Sequence, residues 1–127
     1  MVQYYKIICF GGGNFQKGEI ENFKNLGLEY NLNYIKGDDL KLSNLYRRAS
    51  LYVSLSIYEG FGLTLLEAIQ SKCPVLCSNI PVFREIYKNS CKFVNPNNIA
   101  EITKGLKSIL KSPEKQRKLI TNSKKII

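Results

Sequence analysis

Short runs of β-branched and aromatic residues alternate along this chain with stretches in which apolar positions recur every three or four residues. Repeated several times, that alternation is the signature of a parallel sheet with helices on its faces. Residues 4–10 predict a first strand, closed by Gly11, Gly12 and Gly13. Ile20, Phe23 and Leu26 then keep helical spacing through residues 15–26, up to a stop at Gly27. A weaker strand is predicted over 31–35. Asp38 or Ser43 can cap a helix running to Ala49, and residues 51–56 predict a third strand. A glycine-bearing turn follows, then a nearly all-apolar helix over 61–71 and a short buried strand over 74–77. Next come a helix over 81–87 with Pro81 at its start and a last strand over 91–94. Helices over 98–110 and from Ser112 onward complete the order βαβαβαβαβα, with Ser112-Pro113 marking the break between them.

With 127 residues and 44% apolar content, the expectation is one α/β domain over 1–127 that buries roughly two-thirds of its unfolded surface. No apolar run approaches the ~20 residues of a membrane-spanning helix, and the opening residues lack the basic flank and cleavage site of a signal peptide. A cytoplasmic protein is expected. Cys9, Cys73, Cys77 and Cys91 sit singly among apolar residues, which reads as small buried side chains in a reducing compartment rather than a zinc site. Histidine is absent and Asp38 and Asp39 are the only aspartates. A histidine base, a histidine metal cluster and an Asp-x-Asp metal clasp are thereby excluded, and no metal is expected.

The net charge of +9 is concentrated at one end. Up to Thr103 there are eleven basic and nine acidic residues; from Lys104 onward eight basic residues face Glu114 alone. Lys104, Lys107, Lys111, Lys115 and Lys118 alternate with Leu106, Ile109, Leu110, Leu119 and Ile120, so the tail has one cationic and one apolar face. Such a face is either merely solvated or drawn to an anionic membrane surface. Nucleic acid is not the expected partner, because the stretch lacks aromatic residues for base stacking.

In parallel sheets ligands bind beyond the carboxyl ends of the strands. Of the loops at that end, Glu59-Gly60-Phe61-Gly62-Leu63-Thr64-Leu65-Leu66-Glu67 stands out. Its glycines permit a turn and close ligand approach, and the helix that follows offers unpaired N–H groups and a positive dipole end to an anion such as phosphate. Glu59 and Glu67 are expected on the order of 10 Å apart from the helical rise. That is wide for a carboxylate pair sharing one bond and suits two anchors on a long, hydroxyl-rich ligand. Glu67 can receive hydrogen bonds from ribose or sugar hydroxyls, or pair with a nearby Lys or Arg. Gly11-Gly12-Gly13 is either a plain strand-to-helix turn or a nucleotide contact, since the third glycine of a dinucleotide fingerprint is missing. Asp38 and Asp39 read as helix caps, and Tyr4, Tyr5, Tyr30 and Tyr34 as ordinary packing.

Residues 45–63, Glu67-Ala68, Cys73-Pro74-Val75 and Ser78-Asn79-Ile80-Pro81 together resemble the donor-binding half of retaining glycosyltransferases of family 4. The Glu-x7-Glu element enclosing Gly-Phe-Gly carries the resemblance, which extends over about 7–110 and leaves 111–127 as a basic helical tail. It implies a Rossmann-like parallel sheet with helices on both faces, the second domain of a GT-B fold without its first βα unit. It also implies a metal-independent, hexosyltransferase-like reaction with a nucleotide-diphosphate sugar as donor and no cofactor, serving polysaccharide or glycan biosynthesis. By carry-over Glu59 is the catalytic-site carboxylate and meets hydroxyls of the donor sugar. Gly60, Phe61, Gly62, Leu63 and Thr64 bind sugar and diphosphate, and Glu67 holds the ribose. Gly11 and Gly12 lie near the nucleotide, with Ile35 and Lys36 beside the base. The family's cleft histidine and its diphosphate-binding Arg and Lys have no counterpart here, so little or no transfer is expected without a separate amino-terminal domain. A non-catalytic nucleotide-binding module, or a membrane-surface adaptor acting through the basic tail, are the other readings.

Overall fold

Every strand pairing in the computed structural model is parallel, and each pair of neighbouring strands is linked through a helix. The structure describes residues 5–11 and 13–126. Gly12 and the Tyr4 end of the expected first strand lie outside them. The chain divides into two units, Met1–Leu42 and Ser43–Ile127.

In the first unit β1 (Ile7–Phe10) pairs with β2 (Leu32–Ile35), Ile7 opposite Leu32 and Phe10 opposite Ile35. Between them runs α1 (Lys17–Asn25), whose packing is aromatic: Phe15 meets Phe23 edge-on at 5.1 Å and Tyr34 at 6.1 Å. The helix stops where the sequence predicts. Gly27, at φ 70°, sends its N–H to Lys24 O, and Leu28 N–H reaches Phe23 O at 2.8 Å, a Schellman ending. Asp38 caps α2 (Asp39–Arg48), its Oδ1 accepting from Lys41 N at 3.0 Å.

The second unit is built on the order β3-β4-β5: β3 (Tyr52–Ser54), β4 (Val75–Ser78) and β5 (Lys92–Val94). All four residues of central β4 are buried, as expected for a strand covered on both faces. Leu76, Val94 and Ile109 form a core joined by Leu51, Ile102, Leu106 and Leu119. These connect the sheet to α5 (Ile99–Leu110) and α6 (Pro113–Ser123). Asn98 and Ser112 cap those two helices through Glu101 N and Lys115 N. At Gly105 helix α5 lies so close to the sheet that a Cβ would stand 3.0 Å from Val94 Cγ1 and 3.1 Å from Leu76 Cδ1.

The remaining helices are α3 (Leu63–Gln70) and α4 (Pro81–Tyr87). The former begins two residues later than its apolar run suggests, because Gly62 is left-handed and belongs to the turn. It ends in the same Schellman pattern as α1, with Lys72 N–H to Ile69 O and Cys73 N–H to Ala68 O, but the left-handed residue is Lys72, at φ 60°. A lysine there bears backbone strain that glycine escapes. Lys72→Gly is expected to raise stability by about 0.5–1 kcal/mol, since relief of that strain outweighs the added freedom of the unfolded chain. A urea-unfolding midpoint at or below that of the parent chain would refute this.

The cysteines behave as small apolar residues: Cys73, Cys77 and Cys91 are buried, Cys9 is half-buried, and none forms a disulfide. Cys91 is held protonated by its hydrogen bond with the Cys77 thiol and by burial. Among the described residues no helix is long and apolar enough to cross a membrane, and no group of three or more His, Cys, Asp or Glu is placed to hold a metal ion.

Candidate functional site

The segment from β3 to α3 is built around the left-handed Gly62, at φ 77° and ψ 55°. Buried Tyr87, from α4, lies behind it: its hydroxyl donates toward the carbonyls of Phe61 at 3.1 Å and Gly62 at 2.9 Å. Phe83, one helical turn earlier, is fully buried and packs edge-on to Tyr87 at 6.1 Å. A Cβ on Gly62 would come within 2.7 Å of Phe83 Cε1. The turn is therefore shaped from behind by two aromatic side chains, and its carbonyls are drawn inward.

Pulling the carbonyls back leaves the N–H side of the turn at the start of α3. Gly62 O already accepts from Leu65 N and Leu66 N, while the first helical amides, Leu63 and Thr64, have no intrahelical acceptor. Leu63 and Thr64 are exposed. Charge at this point is set by backbone alone, because no acidic side chain lies in the first turn and no side chain caps it. An anion is the natural complement.

Glu59 and Gly60 line a shallow open groove with Ile57, Tyr58, Ile80, Pro81 and Val82. Tyr58 is 90% exposed, and Ile57, Phe61 and Leu63 are exposed apolar neighbours in sequence. Glu67 lies in the second turn of α3 and is exposed, so its apolar neighbours Leu65, Ala68 and Ile69 face the core without enclosing it. Its apolar neighbours in sequence therefore do not make this carboxylate a buried charge in need of a partner. No lysine or arginine among the described residues pairs with it, which disposes of the ion-pair alternative. Its charge is felt by the Tyr46 hydroxyl, whose pKa is pushed up by burial first, then by Tyr52, and then by Glu67.

In the first unit Gly11, at φ 75°, donates its N–H to Ile35 O at 3.4 Å, and exposed Lys36 follows directly. These three expected nucleotide-side residues therefore gather at the carboxyl ends of β1 and β2. Sequence reasoning missed Tyr87 and Phe83, which lie over twenty residues from the turn they shape and carry no spacing signal. It also missed Arg84. This guanidinium sits 5.2 Å over the Phe93 ring of β5 and donates through Nε to Asn79 Oδ1, the residue just after β4, which holds the cation in place.

A family model described as glycosyl transferases group 1 matches residues 1–126. This chain belongs to that family. Among curated relatives, the O-antigen chain mannosyltransferase RfbU of Salmonella typhimurium is 37% identical over 83 residues, which are 65% of this chain and 23% of the relative. The carboxyl-terminal domain of the group 1 protein LpcC from Francisella tularensis has a TM-score of 0.73 at 27% identity, over 87% of this chain and 58% of that one. HepE of Anabaena, solved in complex with UDP, has a TM-score of 0.82 at 18% identity over 96% and 35%. This group 1 glycosyl transferase chain spans about a quarter of RfbU. Its fold is that of a Rossmann-like second domain of a GT-B enzyme, parallel sheets with helices on both faces.

Proposed function

We propose that the chain is the donor-binding part of a retaining, metal-independent glycosyltransferase of family 4, taking a nucleotide-diphosphate sugar. The observation that carries this reading is the Gly62 turn: Tyr87 turns its carbonyls inward and the amides of Leu63 and Thr64 open the helix. A diphosphate meets the positive end of α3 there. Glu59, at the groove, accepts hydrogen bonds from hydroxyls of the donor sugar, with Gly60 giving the backbone room to approach it and Phe61 offering its amide. Glu67, exposed and without a counter-ion, accepts from both ribose hydroxyls. Gly11, Ile35 and Lys36 serve the nucleotide; Gly12 is assigned with them by sequence. A front-face reaction, with leaving phosphate and acceptor on one side of the sugar, places developing charge on the diphosphate, where the helix end and further cations stabilise it. A separate amino-terminal domain supplies the acceptor side, and the reaction takes place in the cytoplasm.

Calorimetric titration of the chain with UDP, GDP and ADP tests this directly. One of the three is expected to bind, and Glu67→Ala is expected to weaken it about tenfold through loss of the charge-assisted ribose hydrogen bonds. RfbU, as a mannosyltransferase, makes mannosyl donors the first sugars to try. Absence of binding to all three, or binding indifferent to Glu67, overturns the donor-site reading. Efficient transfer by the 127-residue chain alone would overturn the need for a second domain.

A further inference from the structure

All eight basic side chains from Lys104 onward are exposed, whereas the apolar positions interleaved with them, Leu106, Ile109 and Leu119, pack against Leu76 and Val94. The core fixes which way α5 points. Gly105 and Ile109 face the sheet, and at 100° per residue Lys104, Lys107 and the C-cap residue Lys111 fall together on the opposite side. Helix α6 adds to the same stripe. Lys115 Nζ donates to Ser108 Oγ at 2.8 Å, and Ser108 is one turn from both Lys104 and Lys111. Four ammonium groups are thereby gathered along one outer face. Glu101 and Glu114, the acidic residues of these two helices, leave a large excess of positive charge. The chain up to Thr103 carries only a small net charge by comparison.

We infer that this face of α5 and α6 docks on an anionic lipid bilayer, the lysines meeting headgroup phosphates. The charge is spread along a helix face rather than converging on a pocket, which fits a surface of many phosphates better than one bound anion. No aromatic residue occurs from Lys104 onward, so the stacking that single-stranded nucleic acids require is missing. The apolar positions interleaved with these lysines are already taken up in the core and the charges face outward, as in electrostatic membrane attachment without insertion. The contact is independent of the donor-site reading, because none of these lysines belongs to the Gly62 turn or to α3.

The experiment is co-sedimentation of the chain with phosphatidylcholine vesicles and with vesicles carrying about a third phosphatidylglycerol. Binding is expected only to the anionic vesicles, and is expected to collapse between 0.1 and 0.5 M salt, where screening shortens the reach of each charge to a few ångströms. Replacing Lys104, Lys107, Lys111 and Lys115 together by glutamine is expected to weaken binding at least tenfold, since each surface lysine contributes roughly fivefold. The same four positions as arginine keep it. A control chain with Lys6, Lys17, Lys24 and Lys41 changed to glutamine loses equal net charge from the other unit and is expected to bind within threefold of the parent. Failure to bind anionic vesicles overturns the inference, as does an equal loss in the control. Tighter binding to a 20-nucleotide oligouridylate that depends on the same lysines also overturns it, in favour of RNA.

Discussion

Gly62→Ala is expected to destabilise the chain by about 2–4 kcal/mol and to remove its nucleotide binding in the same step. Two penalties add. A φ of 77° puts a Cβ too near the adjoining backbone, at about 1 kcal/mol or more. The same Cβ then stands 2.7 Å from Phe83 Cε1, and that ring is fully buried and held edge-on against Tyr87, so relief must come from the core. Overpacking of this kind costs roughly 1–3 kcal/mol. Urea unfolding of Gly62→Ala, of Phe83→Leu and of the double variant separates the two: the coupling between the positions gives the packing share, and what remains of the Gly62→Ala cost is the backbone share. A Gly62→Ala variant within about 0.5 kcal/mol of the parent would show that the turn is not built as described.

Tyr87→Phe is expected to cost about 1–2 kcal/mol, because it removes the hydroxyl donor from the part-buried Phe61 carbonyl and one of three donors from Gly62 O without changing the shape of the ring. Nucleotide affinity is expected to fall as well, since the Phe61 carbonyl released from Tyr87 can turn toward an incoming phosphate and repel it, while Gly62 O stays held by Leu65 N and Leu66 N. The hydroxyl also gives a pH signature. Burial first, then Cys91 and Cys77, push its pKa from 10.0 to about 12. A folded-state value above the unfolded one stabilises the protein fully below pH 10, and this contribution is lost as pH rises toward 12. Cys73, raised from 9.0 to about 11 by burial, begins the same loss near pH 9. The parent should therefore lose stability across this alkaline range, and Tyr87→Phe should do so less steeply between pH 10 and 12. Parallel curves for the two proteins would contradict the burial of the hydroxyl.

What the sequence discloses here is what local chemistry dictates. Pro81 starts α4 at the expected residue because its fixed φ suits the first helical position, and Gly27 stops α1 because a Schellman ending favours glycine. Asp38, Asn98 and Ser112 cap the helices they precede for the same kind of reason. The start of α3 is less legible, because the apolar run through Phe61 and Gly62 suits a helix while the left-handed Gly62 does not. Strand β3 is shorter than its apolar stretch, ending at Ser54, since pairing with β4 rather than propensity sets its length. For the site, the glycines and glutamates announce themselves through spacing, but the Tyr87 hydroxyl and Phe83 ring meet Gly62 only after α4 folds back. The exposure of Glu67 likewise depends on which side of α3 faces the core.

The central place of β4 has a kinetic meaning too. Both of its ladders are parallel, so Tyr52 must find Val75 and Leu76 must find Lys92 across an intervening helix, with no hairpin available to begin the process. Loop closure therefore precedes any reward from pairing. Nascent α3 and α4 are short and gain little by themselves, which leaves β4 and its apolar contacts as the step that commits the unit to folding. A chain caught before that step presents Val75, Leu76 and Cys77 unpaired, the segment of this molecule with most to lose from meeting another copy of itself.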